Sequence, residues 1–331
     1  MLETDSNLSI IVPAYNSAQT LDACINALLR ACQQIHRAEI LVVDDGSTDD
    51  TSSIASRYNV RILRIRNNSG PAAARNLGAA HATGNVLVFV DADVAVAEDS
   101  LKRIVEHFKI TPGDCALIGS YDDSPKEKNL ISWYRNLLHH YVHQNAPEYA
   151  THFWTGLGAL SKSVFDSLGG FDEQNFGRGC EDIELGYRLR AKGYSIAMDK
   201  ALQGKHLKHW SLISMIRTDL LIRAIPWTHL LIRYKHFPSD FSLGLSQRVS
   251  VATAWLFLIV APFIIVKPQY PFAVLISFIG VNWPFFKFLA KNGGWLLSAV
   301  CLPLHLLYNF NAGLGFLIGA LNFSLTRKTQ T

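Results

Sequence analysis

Cysteine is scarce in this sequence, and no two cysteines are placed to share a metal. The chain has five cysteines in 331 residues, an odd number with no CxxC spacing. Such a pattern argues against a disulfide framework and against a structural zinc site. We therefore expect free thiols and a reducing environment for the folded part of the chain.

Acidic residues are missing from the end of the chain. Residues 241–331 contain six lysines and arginines but no aspartate or glutamate, residues 205–240 hold six basic residues against two acidic ones, and residues 1–204 hold 19 against 25. The mean hydropathy of +0.14 is high for a soluble domain. We call residues 205–240 the basic collar and residues 241–331 the apolar tail. A basic segment beside an apolar one fits an anionic membrane surface better than a nucleic acid.

The first residues also lack the features of a secretory signal. MLETDSNLSIIVPAYN is acidic and polar at its start, with no basic region and no long apolar run. We expect the first part of the chain to stay in the cytoplasm.

Strand-like and helix-like segments alternate over the first hundred residues or so. Apolar runs indicate strands at residues 8–13, 39–43, 60–64 and 86–90, with helical spacing at residues 19–35, 49–58 and 71–81. This alternation predicts an α/β fold with a mostly parallel sheet flanked by helices. Such sheets bind ligands at the carboxyl ends of their strands. Five polar side chains follow these ends: Tyr15, Asn16, Asp45, Asp91 and Asp93.

The tail holds three apolar segments, at residues 249–266, 272–290 and 295–323. The first two are close to the length that crosses the ~30 Å core of a bilayer, although Pro284 interrupts the second. The third is either one tilted helix or two half-spans broken at residues 309–311, giving three to four segments. The basic residues near the segment ends should face the cytoplasm, which favours the broken arrangement: Lys287, Lys291, Arg327 and Lys328.

Residues 211–237 precede the tail and have an amphipathic pattern. Apolar residues recur at steps of three and four, basic residues lie between them, and Pro226 divides the run. We expect two short amphipathic helices lying in the membrane interface. The alternative is that both pack on the globular domain as ordinary core helices.

The DAD sequence at residues 91–93 is the sharpest local feature. In an extended chain, residues i and i+2 point the same way, so both carboxylates could face one point. Two like charges there raise each other's pKa unless a cation neutralises them, and Mg²⁺ or Mn²⁺ bridging two phosphates would do so. From the pair alone, a metal site and a solvated loop are equally good interpretations.

Asp45 and Arg75 each allow two interpretations. Asp45 either accepts hydrogen bonds from a ligand's imide or ribose, or is an ordinary turn or cap residue. Arg75 lies one turn into a helix that follows Gly70 and Pro71. Its guanidinium either binds a phosphate or carboxylate of a ligand through two hydrogen bonds or pairs with an aspartate at the sheet end.

Further candidates lie towards residue 210. Glu181 and Asp182 open a predicted helix, where acids are ordinary caps but where a cluster also suggests a general base. His206 and His209 follow the next predicted strand and are modest candidates for a ligand pair. Three histidines share one predicted helix, which we interpret as a face near the acceptor entrance and not as a metal site: His139, His140 and His143.

Together these segments resemble a family 2 glycosyltransferase with the GT-A fold. The resemblance covers about residues 8–210 and is carried by six motifs in family order. They are IIVPAYN (10–16), VVDDGSTDDT (42–51), SGPAAARNLGAAHATG (69–84), VFVDAD (88–93), GGFDE (169–173) and CEDIELGYRLRAKGY (180–194). Each motif is weak alone, but the set is highly specific.

The resemblance implies a role for each site residue. The nucleotide sugar would be bound by Pro13, Tyr15, Asn16, Asp45, Arg75, Asp91 and Glu181. Asp93 would hold a divalent metal (Mg²⁺ or Mn²⁺), with His209 as the preferred extra ligand and His206 behind it. Asp182 would deprotonate an acceptor hydroxyl for inverting in-line attack, or would only position an acceptor that is already a phosphate.

Processive members of the family carry a Gln-x-x-Arg-Trp motif that this sequence lacks. We therefore expect a metal-dependent hexosyltransferase that moves a single sugar from a UDP- or GDP-sugar to a membrane lipid, either a polyprenyl phosphate or a glycolipid. The expected organisation is a catalytic domain at 1–210 on the cytoplasmic side, interfacial helices at 211–247 and a transmembrane region at 248–331. The alternative is a non-catalytic membrane-bound nucleotide-sugar sensor, or a partner subunit of a lipid-carrier system.

Overall fold

Two units make up the chain in the computed structural model, which describes residues 7–111, 114–235 and 244–328. The first unit comprises Met1–Glu127 and Ala146–His209, and the second comprises Lys128–Asn145 and Trp210–Thr331. Some sequence predictions concern parts outside the described residues, namely residues 1–6, residues 236–237 and the side chains of Arg327 and Lys328.

The described part of the first unit is built on an eight-stranded mixed sheet. Its strands are β1 (Leu8–Ala14), β2 (Ala38–Asp45), β3 (Arg61–Ile65), β4 (Val86–Val90), β5 (Val94–Val96), β6 (Ala116–Tyr121), β7 (Leu157–Ser161) and β8 (Ile196–His206). The order across the sheet is β3-β2-β1-β4-β7-β6-β8-β5. The four strands from β3 to β4 are parallel, whereas β7 is antiparallel to both of its neighbours and β5 is antiparallel to β8. The predicted α/β sheet is confirmed, as a mixed sheet.

Helices flank this sheet because β1, β2 and β4 are nearly continuous apolar runs that are buried on both faces. The helices of the first unit are α1 (Leu21–Cys32), α2 (Thr51–Ala55), α3 (Pro71–His81), α4 (Ser100–Ile110), α6 (Lys162–Ser167), α7 (Glu173–Phe176) and α8 (Glu181–Ala191). The helix α3 and the strand β4 have the bounds that the sequence predicts.

The described part of the second unit is helical. Its helices are α5 (Leu130–Gln144), α9 (Leu212–Arg217), α10 (Ile225–Tyr234), α11 (Leu245–Val260), α12 (Gln269–Val281), α13 (Trp283–Val300) and α14 (Leu302–Lys328). Pro226 does not divide the segment before the tail. A π-helical stretch, Thr218–Ala224, joins α9 to α10, and such a stretch accommodates the hydrogen bond that proline cannot donate. Both this stretch and α10 pack against α14.

Two described helices are long and apolar enough to cross a membrane, Leu245–Ile264 and Leu302–Leu325. The helices α12 and α13 would make a third only if they formed one span, and they meet at a bend of 71°. The break expected at residues 309–311 is absent, because α14 runs through them. The chain instead breaks at Asn282, and again at Gly294, whose φ of 82° lies in the left-handed region that favours glycine.

A chain of hydrogen bonds runs through the interior of the second unit. The Tyr134 hydroxyl donates to His305 Nδ1 over 2.9 Å, and His305 Nε2 donates to Asn282 Oδ1 over 2.9 Å. Ser250 Oγ donates to the same Asn282 oxygen, also over 2.9 Å. A neutral imidazole protonated at Nε2 satisfies both contacts of His305. These bonds fix the bend at Asn282 to α5, α11 and α14.

Candidate functional site

Arg75 lies at the centre of the predicted site. Its side chain is only 4% exposed, and it donates from Nη2 to Asp91 Oδ1 over 2.6 Å and from Nη1 to Glu181 Oε1 over 2.5 Å. The first carboxylate ends β4 and the second begins α8. The Phe171 ring lies 5.9 Å from the guanidinium carbon. Of the two interpretations of Arg75, the structure shows pairing with an aspartate at the sheet end.

The two carboxyls beside Arg75 resist ionisation. Burial raises the pKa of Asp91 above its usual range, the Arg75 charge opposes that rise, and the Asp93 charge adds to it. Burial likewise raises the pKa of Glu181 to about 7, against the attraction of Arg75 and with help from the Asp182 charge. Arg75 and these two carboxyls form a hub in which the cation and Glu181 are buried and Asp91 is 34% exposed. The protonation of Glu181 changes near neutral pH.

The two aspartates at residues 91–93 do not lie in an extended chain. The Val94 amide donates to the Asp91 carbonyl over 2.9 Å, which closes a turn at residues 92 and 93. The same-side argument assumed an extended chain and is wrong here. Asp91 points to Arg75, whereas Asp93 Oδ2 lies 3.8 Å from His206 Nε2.

Asp93 is the aspartate of the pair whose ionised form is favoured. Burial alone would raise the pKa of Asp93, but contact with His206 and the positive charges of His206 and Lys208 hold it below the usual range. Its side chain is 26% exposed. The imidazole of His206 is buried and stacks on Tyr121, with ring centroids 4.3 Å apart. Asp93 is therefore an ionised and reachable carboxylate with a fixed neighbour.

Asp45 is fully engaged by the loop before α3. Its carboxylate accepts from the Ser69 amide and the Gly70 amide, both over 2.8 Å, and from Asn68 Nδ2 over 3.2 Å. The φ of Gly70 is +98°, and a side chain there would collide with the Gly177 carbonyl. Asp45 thus shapes the loop that delivers Arg75, and its predicted contact with a base stays a prediction.

The loop after β1 is tied to the loop after β2. Asn16 has a positive φ of 48°, its side-chain oxygen accepts from the Thr48 amide over 2.9 Å, and its amide donates to Ser47 Oγ over 3.0 Å. Pro13 is half-buried within β1, whereas Tyr15 is 48% exposed. Of these three residues predicted to line the nucleotide, Tyr15 and Asn16 are exposed.

Asp182 lies beside Thr155, a residue that no sequence pattern indicates. The Thr155 amide and hydroxyl both lie 3.4 Å from Asp182 Oδ2. Cys180, the residue before α8, has a φ of 62°, which is unusual for a residue with a side chain. This turn sets the direction in which α8 begins, with Glu181 towards Arg75 and Asp182 partly exposed.

His209 and His206 lie in different surroundings. His209 Nδ1 lies 3.1 Å from Glu127 Oε2, and its side chain is 59% exposed. It is His206 that lies beside Asp93. The predicted role of His209 as a metal ligand stays a prediction. In the second unit, His139 Nε2 lies 3.0 Å from Arg223 Nη1, and His143 is buried.

Arg188 is a second arginine that sequence reasoning did not select. Its guanidinium donates to both oxygens of Glu184, four residues earlier, and to the carbonyls of Leu168 and Gly170, each over 2.7 Å. The loop that it holds leads to Phe171, the ring behind Arg75. The spacing of four in α8 was the available signal, and it is common on helices.

Two family models match the chain. Residues 9–169 match "Glycosyl transferase family 2", and residues 137–210 match "N-terminal domain of galactosyltransferase". The resemblance inferred from the motifs is therefore confirmed.

Among known proteins, the chain is 30% identical over 241 residues to validoxylamine A glucosyltransferase of Streptomyces hygroscopicus subsp. jinggangensis, covering 61% of this chain and 56% of that protein. It is 30% identical over 135 residues to undecaprenyl-phosphate 4-deoxy-4-formamido-L-arabinose transferase of Sodalis glossinidius, covering 39% of each. The chain spans about half the length of the first of these relatives and less of the second.

Among solved structures, the fold matches a mannosyltransferase of Pyrobaculum calidifontis, solved in complex with GDP-Man and Mn²⁺. The TM-score is 0.60 at 20% identity, and the match covers 90% of this chain and 87% of that one. At this identity the likeness shows the fold. Taken with the family models, it shows that the first unit of this chain is a family 2 glycosyltransferase domain with a GT-A-type fold.

Proposed function

We propose that this protein is a membrane-bound, inverting glycosyltransferase that moves one sugar from a nucleotide sugar to a lipid acceptor, with the help of a divalent metal. The observation that carries the proposal is the pair of partly exposed carboxylates, Asp93 and Asp182, beside the buried Arg75 hub. Both lie close enough to Asp91 for their charges to raise its pKa. A transfer site needs one carboxylate for the donor side and one for the acceptor side, and this arrangement supplies both.

The donor would be a UDP- or GDP-sugar bound at the carboxyl ends of β1, β2 and β4. Tyr15 offers exposed ring surface there, and the β1 and β2 loops are fixed to each other through Asn16. The mannosyltransferase neighbour was solved with GDP-Man and Mn²⁺, which supports a nucleotide sugar without selecting the base.

A metal fits the Asp93 side of the site. Among the residues that the structure describes, no three His, Cys, Asp or Glu side chains converge on a point that could hold a metal ion. Mg²⁺, however, is commonly held by one or two carboxylates together with substrate phosphates. The ionised and partly exposed Asp93 is one such carboxylate. When bound, the metal would neutralise charge on the diphosphate leaving group.

Asp182 would act on the acceptor. If the acceptor is a hydroxyl, the carboxylate takes its proton as the hydroxyl attacks the anomeric carbon from the face opposite the leaving group. If the acceptor is a phosphate, no proton has to leave and Asp182 only positions it. Thr155 lies 3.4 Å from Asp182 Oδ2, and Asp182 Oδ1 accepts from the Ile183 amide over 2.8 Å, so both contacts fix the direction of the carboxylate.

A lipid acceptor is supported by the apolar helices of the second unit. The helices Leu245–Ile264 and Leu302–Leu325 suit a multi-pass protein in the cell membrane. The basic residues of the collar, with Lys287 and Lys291 of the tail, favour a cytoplasmic catalytic unit. The transferase of Sodalis glossinidius is named for undecaprenyl phosphate, so a polyprenyl phosphate is the first acceptor to test, with a glycolipid second.

The test is transfer by the purified protein in lipid vesicles. A panel of UDP- and GDP-sugars is supplied with Mn²⁺, Mg²⁺ or EDTA and with a membrane lipid extract, and new lipids are detected by mass spectrometry. We expect one sugar per lipid with a metal and none with EDTA. General-base catalysis contributes about 10²–10⁴-fold, so Asp182→Asn should lose that much with a hydroxyl acceptor and far less with a phosphate.

Asp93→Asn should abolish metal-dependent transfer while the protein still folds. Asp166→Asn, an exposed aspartate on α6 paired with Lys162, is the matched control and should transfer normally. Wild-type turnover by Asp93→Asn would remove that residue from the site. Binding of a nucleotide sugar with neither hydrolysis nor transfer would favour a non-catalytic sensor.

A further inference from the structure

The helix α13 presents an exposed face of tryptophan and lysine. Trp283, Lys287 and Lys291 follow one another at intervals of four residues, which places them on one side of a helix, and all three are exposed. After the kink at Gly294 the chain brings Trp295 back onto Trp283, with ring centroids 5.4 Å apart and 22° between the planes. Trp283 is 49% exposed and Trp295 58% exposed.

The opposite face of α13 is buried in the second unit. Phe285, Phe286 and Leu289 are at most 5% exposed, and Phe285 packs against Tyr141 of α5 with centroids 5.2 Å apart. A helix with one face in a protein core and one face of tryptophan and lysine is amphipathic. Tryptophan and lysine together are typical of the level of lipid headgroups, where an apolar ring and a charged tip are both satisfied.

The bend before α13 lies close to one end of the candidate span Leu245–Ile264. Asn282 accepts from Ser250 over 2.9 Å, and Ser250 is five residues into the candidate span Leu245–Ile264. Five residues of helix advance about 8 Å, so the bend lies within the first third of the ~30 Å core measured from the end where α11 begins.

A single span made of α12 and α13 is therefore unsuitable. Its bend would have to lie near the middle of the bilayer, with Lys287 just beyond it, where a charge is costly. The 13 residues of α12 advance only about 20 Å. No acidic residue occurs in residues 241–331 that could neutralise the two lysines from within the tail.

We propose that α13 lies in the headgroup layer of the membrane face where α11 begins, with Trp283, Lys287, Lys291 and Trp295 against anionic lipid headgroups. The helix α12 then returns from the bilayer to this layer, and α12 and α13 are not one span. The inference rests on the membrane placement in the proposed function but not on sugar transfer. The ligand of this face of α13 is a negatively charged bilayer surface.

The depth of two residues tests the placement. Nitroxide labels are attached to Lys287→Cys and Ile276→Cys in a Cys32→Ser background, since the other four cysteines are buried. The protein is placed in vesicles of phosphatidylcholine with phosphatidylglycerol. Collision with oxygen and with a water-soluble nickel complex reports the depth of each label. We expect the label at 287 at headgroup depth and the label at 276, on an exposed position of α12, in the hydrocarbon.

A label at 287 in the hydrocarbon centre would establish a single span and overturn the inference. A label at 287 in free water with the label at 276 in hydrocarbon would overturn it as well, leaving the membrane placement intact. If both labels lie in water, the membrane part of the proposed function fails with it. None of these readouts needs a donor or an acceptor, so loss of transfer is a separate result.

Lipid preference tests the charge. Each lysine near an anionic surface contributes about 1 kcal/mol, which corresponds to about fivefold in affinity. The paired variant Lys287→Gln/Lys291→Gln should therefore lose several-fold preference for spin-labelled phosphatidylglycerol over phosphatidylcholine. Lys102→Gln, on α4 of the first unit, is the control and should keep it. An unchanged preference in the paired variant would refute the headgroup contact.

Discussion

Replacing Arg75 by methionine should expose how the site is held together. The guanidinium is 4% exposed and contacts two carboxyls, at 2.6 Å and 2.5 Å. Methionine fills a similar volume but leaves Asp91 and Glu181 without their cation. Removing one partner of a buried ion pair costs about 3–5 kcal/mol. We expect a loss of local stability in that range near neutral pH, because the buried Glu181 carboxyl must either remain charged or take up a proton.

The cost should grow with pH. The pKa of Glu181 is raised from 4.5 to about 7, so the native state binds this proton more tightly than the unfolded state. In the wild type, its contribution to stability is therefore present below pH 4.5 and is lost as the pH rises to about 7. Without Arg75 the pKa rises further, and the loss continues above pH 7 at up to about 1.4 kcal/mol per pH unit.

Amide hydrogen exchange in α3 and α8, corrected for the intrinsic effect of pH, measures this loss within the first unit. Arg30→Met is the control, since the Arg30–Glu98 pair is 54% and 69% exposed and exposed pairs contribute about 0–1 kcal/mol. Adding Glu181→Gln to Arg75→Met should restore about 1–3 kcal/mol, since the two residues are coupled. A cost below about 1 kcal/mol, or one that is equal at pH 6 and pH 8, would refute the reasoning.

Three other perturbations test further contacts of the first unit. Asp45→Ala leaves the buried Gly70 amide without its acceptor, so the free energy of opening of the loop before α3, measured by amide hydrogen exchange, should fall by about 1–3 kcal/mol. Unchanged exchange with weaker nucleotide binding would instead support a direct base contact. Arg188→Met strands the buried Glu184 carboxylate and should cost about 3–5 kcal/mol by thermal unfolding, with partial recovery on adding Glu184→Gln. Burial would raise the pKa of Glu39, but hydrogen bonds from Ser9 and Thr83 and the Arg61 charge hold it below 4.5. Its contribution to stability is therefore present above pH 4.5 and lost as the pH falls, and acid titration of Glu39→Gln should show a smaller loss than the wild type.

The sheet and its first helices follow from local pattern. The strand β4 is five apolar residues with no competing period, and α3 begins at a proline after a glycine, so both bounds are readable from the chain. The polar residues after strands could likewise be placed at one sheet edge, because parallel strands end at the same side.

The residues that these polar side chains contact cannot be predicted from the sequence. An extended chain would allow Asp91 and Asp93 to face one point, but a turn directs Asp91 to Arg75 and Asp93 to His206. Asp45 was free to face a ligand until the loop at Ser69 and Gly70 was placed against it. Thr155 and Arg188 lie far from their partners or in an ordinary helical spacing, so no pattern marked them.

The family, the sheet edge and the apolar character of the tail can be read from the chain alone, because each depends on residue type and spacing. The carboxylates that contact Arg75, the histidine beside Asp93 and the position of the bend in the tail become known only from the folded structure. Those outcomes depend on contacts between residues distant in sequence, such as Arg75 with Glu181 and Ser250 with Asn282, whose energies are set by burial and geometry.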